Sequence, residues 1–487
     1  MGRTVRRRLG EARGVAMTRF ATLDLDQYRA AGGLELGRRV ASGELSPVQL
    51  AECALHLASE AEPRINAYAA LLTERALRDA AEREAEARAG QVRGPLHGVP
   101  IAIKDNMPYQ GEPTWKGSRT TTDTPAGTSA PMVSRLLGAG AVVIGRTTTP
   151  EFGWKGTGSS PRTGITRNPW NPAWNPGGSS AGSGATVASG AVPIATGTDA
   201  GGSVRIPAAF CGVVGMKPTL GAIPVWPGTV NESLSHAGPI TRSVEDAAAV
   251  FDLVRGPDPR DPQSYWSRPP ASVPDRPRVG LVRAPFGIEP SGAVESVFAD
   301  ALALLAPVTD LHETKLPAPL PREVFEALWV TGRGLGFRHL VAEHADIMDP
   351  GLARLATLAE EYSLADYYDA LARRREFNAA MSRVFTDFDL LLMPTMPITA
   401  FAAEAEVPPG GEAGAPLPWI TWTPYTYPFN ISGQPAISVP CGLGAGKAPA
   451  GLQIVGPWAG DDAVLAFAAR CERALAAGNE ATVAPRW

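Results

Sequence analysis

Apolar positions near the start of the chain fall into helical spacing. Leu50, Cys53, Ala54 and Leu57 recur at i, i+3, i+4 and i+7, which predicts one buried helix face. Ahead of them Ser46 can cap, Pro47 suits the first turn, Gln49 completes a capping box and Leu45 can staple against Leu50. A second, more charged helix is predicted over roughly 73–89, so the N-terminal part reads as helical.

From Gly98 the texture changes. Short apolar runs at 99–103 and 141–144 alternate with segments of helical spacing, which predicts strands between helices and an α/β core. Further strands are predicted at 279–282, 389–393, 436–439 and 452–455, with a closing helix over about 461–476. Residues 256–278 carry Pro257, Pro259, Pro262, Pro269, Pro270, Pro274 and Pro277 among charged positions. That many breakers predict a surface crossing between two lobes. No fixed-period repeat is present, which argues against a solenoid or propeller.

Composition narrows the class. The 487 residues are 44% hydrophobic and 19% charged, enough for a large core of one large or two ordinary domains. A formal charge of −4 offers no basic excess for a polyanion, so nucleic acid is not an expected partner. Cys53, Cys211, Cys441 and Cys471 are scattered and read as packed thiols. The six histidines include no HExxH pair or Cys/His cluster, so neither a metal nor a cofactor is expected. The uncharged stretch 181–198 is Gly- and Ser-rich and interrupted by Pro193, unlike the roughly 20 apolar residues of a membrane span. Residues 1–16 hold five arginines without a following apolar region, and Met17 offers an alternative start. They read as a disordered basic extension, the remaining 17–487 as one domain, and the protein as a cytoplasmic enzyme.

Candidate chemistry concentrates in 175–184 (NPGGSSAGSG) and 196–205 (TGTDAGGSVR). Ser179 and Ser203 each follow a Gly-Gly pair, and glycine lets backbone approach a ligand closely. Flexible Gly/Ser linkers would have polar, low-complexity flanks, whereas these are apolar and strand-like. A P-loop is absent, since Lys217 lies between Met216 and Pro218. Gly178-Ser179-Ser180-Ala181-Gly182 matches the GxSxG nucleophile elbow with Ser180 as nucleophile. That arrangement needs a late histidine, yet more than 140 residues follow the last one, His344. A Ser–His–Asp esterase is therefore the weaker alternative.

Gly-Gly-Ser-Ser-x-Gly, followed 24 positions after its first serine by Gly-Gly-Ser-x-Arg, resembles the amidase signature family. The resemblance extends upstream through 98–106 (GVPIAIKDN) and 167–172 (RNPWNP). Downstream it runs through 207–219 (PAAFCGVVGMKPT) and 428–440 (PFNISGQPAISVP). It implies a large mixed β-sheet sandwiched by helices, with a signature core over about 95–245 and a C-terminal lobe over about 279–487. It further implies Ser203 as the acylated nucleophile, Ser179 as a bridging serine preceded by a cis peptide, and Lys104 as the base.

Physical chemistry adds conditions. A serine hydroxyl needs a nearby base. A lysine, ordinarily near pKa 10.4, serves only when burial or a cationic neighbour lowers that value by several units. Lys104 ends an apolar run where burial is expected. The N–H groups of Ala200, Gly201 and Gly202 could converge on the oxyanion. Ser180, Asp199 and Arg205 are assigned supporting roles, with a simple salt-bridged pair as an equal reading of the last two. For the substrate pocket, Trp154, Trp419, Trp422, Tyr425 and Tyr427 are the candidates, favouring an apolar or aryl portion over a small charged one.

The expected reaction is hydrolysis of a small-molecule amide, aryl or alkyl, with carbamate or ester side activity. The alternatives are the glutamine-hydrolysing subunit of a tRNA-dependent amidotransferase, a hydrolase of peptide-like oligomers, and a binding module that has lost catalysis. The sequence does not set the oligomeric state and leaves a homodimer open.

Overall fold

The computed structural model describes residues 23–265, 274 and 276–478. The basic extension 1–16 and part of the Pro-rich crossing lie outside the described residues.

Helices α1 (Leu25–Ala30), α2 (Gly33–Ala41) and α3 (Pro47–Ile65) lead into β1 (Tyr68–Leu71) and the charged α4 (Thr73–Arg88). α3 starts where its sequence predicts: Ser46 Oγ accepts from the N–H groups of Val48 and Gln49 at 3.1 and 3.3 Å. Leu50, Cys53, Ala54 and Leu57 form its buried face. Next come β2 (Pro100–Lys104), α5 (Pro131–Gly138), β3 (Val142–Thr147) and a small ribbon of β4 (Ser159–Ser160) and β5 (Gly164–Ile165). The Gly/Ser-rich stretch resolves into α6 (Ala181–Ala188) and β6 (Ile194–Asp199). α7 (Arg205–Cys211), β7 (Val214–Lys217), β8 (His236–Thr241) and α8 (Val244–Val254) follow.

The C-terminal half opens with β9 (Arg278–Leu281), α9 (Gly292–Leu305) and β10 (Asp310–Glu313). A helical layer of α10 (Arg322–His344), α11 (Pro350–Ala359) and α12 (Leu364–Arg383) precedes β11 (Leu390–Pro394), the short α13 (Pro428–Ile431), β12 (Ala436–Leu443), β13 (Pro449–Val455) and the closing α14 (Asp461–Gly478).

Eleven strands form one sheet in the order β1-β3-β2-β6-β8-β7-β12-β13-β11-β9-β10. Pairings are mixed: β2 runs parallel to β3 and β6, β9 parallel to β10 and β11, and the others are antiparallel. The expected large mixed sheet covered by helices is thus the fold. β2 is buried at every position, which accounts for an unbroken apolar run rather than alternation. One apolar core joins the sheet to α3, α8 and α14. A second, rich in aromatics, lies under α10–α12 and includes Phe325, Trp329, Trp419 and Tyr427. Among the described residues no helix is long and apolar enough to cross a membrane.

Candidate active site

Lys104 is the last residue of β2 and Asp199 the last of the adjacent parallel β6. Both therefore emerge at the carboxyl ends of neighbouring strands, where open α/β sheets place their ligands. Lys104 is fully buried, its N–H held by Thr196 Oγ1 at 3.0 Å. Its Nζ lies within hydrogen-bond distance of three hydroxyls: Ser179 Oγ at 2.8 Å, Ser180 Oγ at 3.0 Å and Thr198 Oγ1 at 2.9 Å. Asn106 Nδ2 donates to the same Thr198 hydroxyl at 2.9 Å, fixing it from the other side. Burial pushes the Lys104 pKa well below the usual lysine value; Asp199 opposes that shift and Arg333 adds to it.

The two Gly-Ser segments meet backbone to backbone, the Ser180 N–H donating to the Ser203 carbonyl at 3.1 Å. The Gly178–Ser179 peptide is cis, as the family resemblance implied. Ser180 stands at the start of α6, and among the described residues its hydroxyl reaches Lys104 and the Thr198 backbone. No histidine bonds to it among the described residues, so the elbow reading lacks its base. The loop Glu151–Gly153 closes the other side, where a Cβ on Gly153 would stand 3.1 Å from Ser179 Oγ.

Ser203 is 5% exposed in a loop built around Asp199. The Asp199 carboxylate accepts from the Gly202 N–H at 2.7 Å, the Val204 N–H at 3.1 Å and the Arg205 guanidinium at two points, both 3.0 Å. Asn430 Nδ2 adds a bond at 2.8 Å. Burial alone would raise the Asp199 pKa, but Arg205, Lys217 and Asn430 together outweigh it and hold the carboxyl below the usual range. Arg205 in turn donates to the Thr426 carbonyl, Gln453 Oε1 and Asn430 Oδ1. The salt bridge and the support of the loop are thus one network.

Two expectations change. The Gly202 N–H, expected to face an oxyanion, is committed to Asp199, because Gly202 at φ +122 turns its amide back under the loop. The amides of Ala200 and Gly201 donate to no protein group among the described residues. Tyr425, expected as a pocket wall, has its hydroxyl committed to the Ile288 carbonyl at 2.5 Å, and its own carbonyl accepts from Gln453.

The remaining aromatics divide. A Cβ on Gly201 would lie 2.6 Å from Trp419 and 3.0 Å from Phe325, so these two rings adjoin the Ser203 loop. Tyr427 packs on Phe325 at 4.8 Å. Trp422 stacks on Phe210 at 6.0 Å and Trp154 packs against Gly351, both farther along the same apolar layer. His236 lies behind the site, its Nδ1 beside the carbonyls of Asp199 and Leu234 and its Nε2 3.3 Å from Lys217 Nζ. Among the described residues no group of three or more His, Cys, Asp or Glu side chains converges as a metal set would.

Sequence reasoning missed Thr198, Asn106, Gln453, Phe325, Trp329 and Arg333 as members of this neighbourhood. Asn106 and Thr198 sit inside the motif runs and were within reach. Phe325, Trp329 and Arg333 lie on α10, more than 100 residues from either serine, with no local signal.

Comparison with known proteins supplies the family. The Amidase family model matches residues 49–465. An acylamidase of Rhodococcus erythropolis is 36% identical over 457 residues, covering 90% of this chain and 94% of that protein. A glutamyl-tRNA(Gln) amidotransferase subunit of Symbiobacterium thermophilum is 35% identical over 468 residues, covering 89% and 94%. Among solved structures, a bacterial aryl acylamidase of the amidase signature family superposes with a TM-score of 0.82 at 28% identity, covering 91% of this chain and 96% of that one. With the family model spanning most of its length and such relatives along nearly all of it, the chain belongs to the amidase signature family and is an amide-hydrolysing enzyme.

Proposed function

We propose that the protein is a stand-alone amidase that cleaves aryl or alkyl amides through an acyl-enzyme on Ser203, with Ser179 as proton relay and Lys104 as base. The observation that carries this reading is the buried Lys104 amine, surrounded by three hydroxyls and, among the described residues, bonded to no carboxylate. A neutral amine has two N–H donors and one lone pair, so three hydroxyl neighbours satisfy it without a counterion.

Ser203 Oγ attacks the carbonyl carbon while its proton passes to Ser179 Oγ and the Ser179 proton passes to Lys104 Nζ. The oxyanion is received by the unspent N–H groups of Ala200 and Gly201. On collapse the C–N bond breaks and the proton returns from Lys104 through Ser179 to the leaving nitrogen, which departs as a neutral amine. Water then repeats the sequence on the ester, releasing the acid and restoring Ser203. Carbamates and activated esters present the same carbonyl geometry and are expected side substrates.

The test is hydrolysis of 4-nitroacetanilide by the purified chain with hydroxylamine added. An acyl-enzyme partitions to the hydroxamate without changing the rate of nitroaniline release when acylation is slow. Absence of hydroxamate, or full activity in Ser203→Ala, would overturn the mechanism.

The amidotransferase reading is favoured by the 35% identity to a glutamyl-tRNA(Gln) amidotransferase subunit. It predicts glutaminase activity that depends on partner subunits and no turnover of a simple anilide by the isolated chain.

A further inference from the structure

Arg333 is a buried cation without an anion. It lies in α10 at 6% exposure, and burial lowers its pKa to about 9. Its Nη1 donates to the Phe152 carbonyl at 2.5 Å, its Nε has no acceptor, and no carboxylate pairs with it among the described residues. Buried charges are ordinarily paired, so this one is conspicuous. The helix holds it firmly. A Cβ on Gly332 would stand 2.3 Å from Asn231 Nδ2, and one on Gly334 2.1 Å from the Leu355 carbonyl. Both flanks of Arg333 are thus pressed against neighbouring groups.

Two more donors in its neighbourhood are unspent: among the described residues Trp329 Nε1 and Trp419 Nε1 are buried without an acceptor. The Arg333 guanidinium lies 4.6 Å over the Trp329 ring, and Trp329 lies 5.2 Å from both Trp419 and Phe325. Trp419 and Phe325 are the rings that adjoin Gly201. From the other side, the carbonyl that holds Arg333 belongs to Phe152, next to the glycine that abuts Ser179 Oγ. Lys116, whose carbonyl accepts the Phe152 N–H, is a second cation with no ion pair among the described residues. The surroundings of Arg333 on the serine side therefore offer positive charge and N–H groups with aromatic faces between them, and among the described residues no carboxylate answers the guanidinium.

We propose that Arg333 is a specificity-determining residue that receives a carboxylate carried by the substrate, with Trp329 and Trp419 supplying further donors. The stacking of Arg333 on Trp329 and Phe337 keeps the guanidinium in place but leaves its charge and Nε unanswered. An aryl amide bearing a carboxylate would satisfy both the rings and the donors. This adds a charged group to the sequence-based expectation, which favoured an apolar or aryl portion over a small charged one, and it rests on the reading of Ser203 as the acylated residue.

The test is calorimetric binding to Ser203→Ala, which separates recognition from turnover. The probes are N-(4-nitrophenyl)glutaramate, with a carboxylate on the acyl side, 4-acetamidobenzoate, with one on the amine side, and the neutral pentanoyl 4-nitroanilide. The expected result is that at least one carboxylate probe binds about tenfold or more tighter than the neutral one, as a charge-assisted two-point contact allows. Adding Arg333→Gln should bring that ratio to about one, with Arg333→Lys intermediate because it keeps the charge but loses the planar fork. Equal affinity of all three probes for the Ser203→Ala parent would overturn the proposal without any Arg333 variant. So would equal weakening of all three by Arg333→Gln. Failure of the wild-type chain to hydrolyse the neutral anilide would count against the acyl-enzyme reading and would leave these binding ratios readable.

Discussion

Asp199 and Arg205 face each other at two points, Nε to Oδ2 and Nη2 to Oδ1, both at 3.0 Å with neither side chain exposed. The same carboxylate holds the amides of Gly202 and Val204 on either side of Ser203. Arg205→Ala would leave that carboxylate buried and uncompensated. The expected loss is about 3–5 kcal/mol in denaturant unfolding, together with loss of activity. Because the Asp199 carboxyl is held below its usual range, the contribution of the pair is complete above the ordinary carboxylate pKa and disappears only as pH falls through the lower folded value. Acidification from pH 7 to pH 5 should therefore leave this part of the stability intact.

On the proposed mechanism Lys104 sets the pH profile. Burial lowers its pKa, Asp199 raises it and Arg333 lowers it further. With Lys104 as the proposed base the free amine would be the active form, so kcat/KM should rise with pH through an apparent pKa well below that of an ordinary lysine. Lys104→Arg cannot lose its proton near neutrality and should cost at least about 10²-fold. Arg333→Gln removes a cation that depresses this pKa, so the acid limb should move to higher pH. A limb unmoved by Arg333→Gln would show that Arg333 does not act on Lys104.

Gly201 is pressed against aromatic rings. In Gly201→Ala the new Cβ meets Trp419 at 2.6 Å and Phe325 at 3.0 Å, so either the rings or the loop must shift. Displacing an oxyanion donor costs about 10²–10³ in rate, and kcat should fall by that order on a neutral anilide. Adding Trp419→Ala makes room for the methyl group, and the double variant should recover part of kcat.

His236 separates the lysine-based mechanism from a histidine-based one. It is buried behind Asp199 and hydrogen-bonds to Lys217 and backbone carbonyls rather than to a serine. His236→Gln should cost about 1–3 kcal/mol of stability through unsatisfied buried groups, while kcat/KM falls much less than in Lys104→Ala.

The strands and helices of the core were legible because their signals are local. The apolar run 99–103 became β2, Ser46 capped α3, and the closing helix starts at Asp461 as predicted. The motifs that carry Lys104, Ser179 and Ser203 are dense, and the structure brings Lys104 to Ser179 and the two serine segments together. Thr198 and Asn106 stand in those motifs too, but a hydroxyl or amide that merely braces the lysine has no residue pattern of its own. Arg333 was not legible at all. Its role depends on the orphaned donors around it and on a helix whose own pattern reads as ordinary core. The direction of the Gly202 amide escapes the sequence for a similar reason, since it follows from a backbone turn and a carboxylate three residues away rather than from residue type.

The most direct test of the central claim is intact-protein mass spectrometry after treatment with a fluorophosphonate, with peptide mapping of the adduct. A single adduct on Ser203, abolished in Ser203→Ala and slowed in Lys104→Ala, is the predicted result. An adduct on Ser180, or none on a folded protein that hydrolyses anilides, would contradict it.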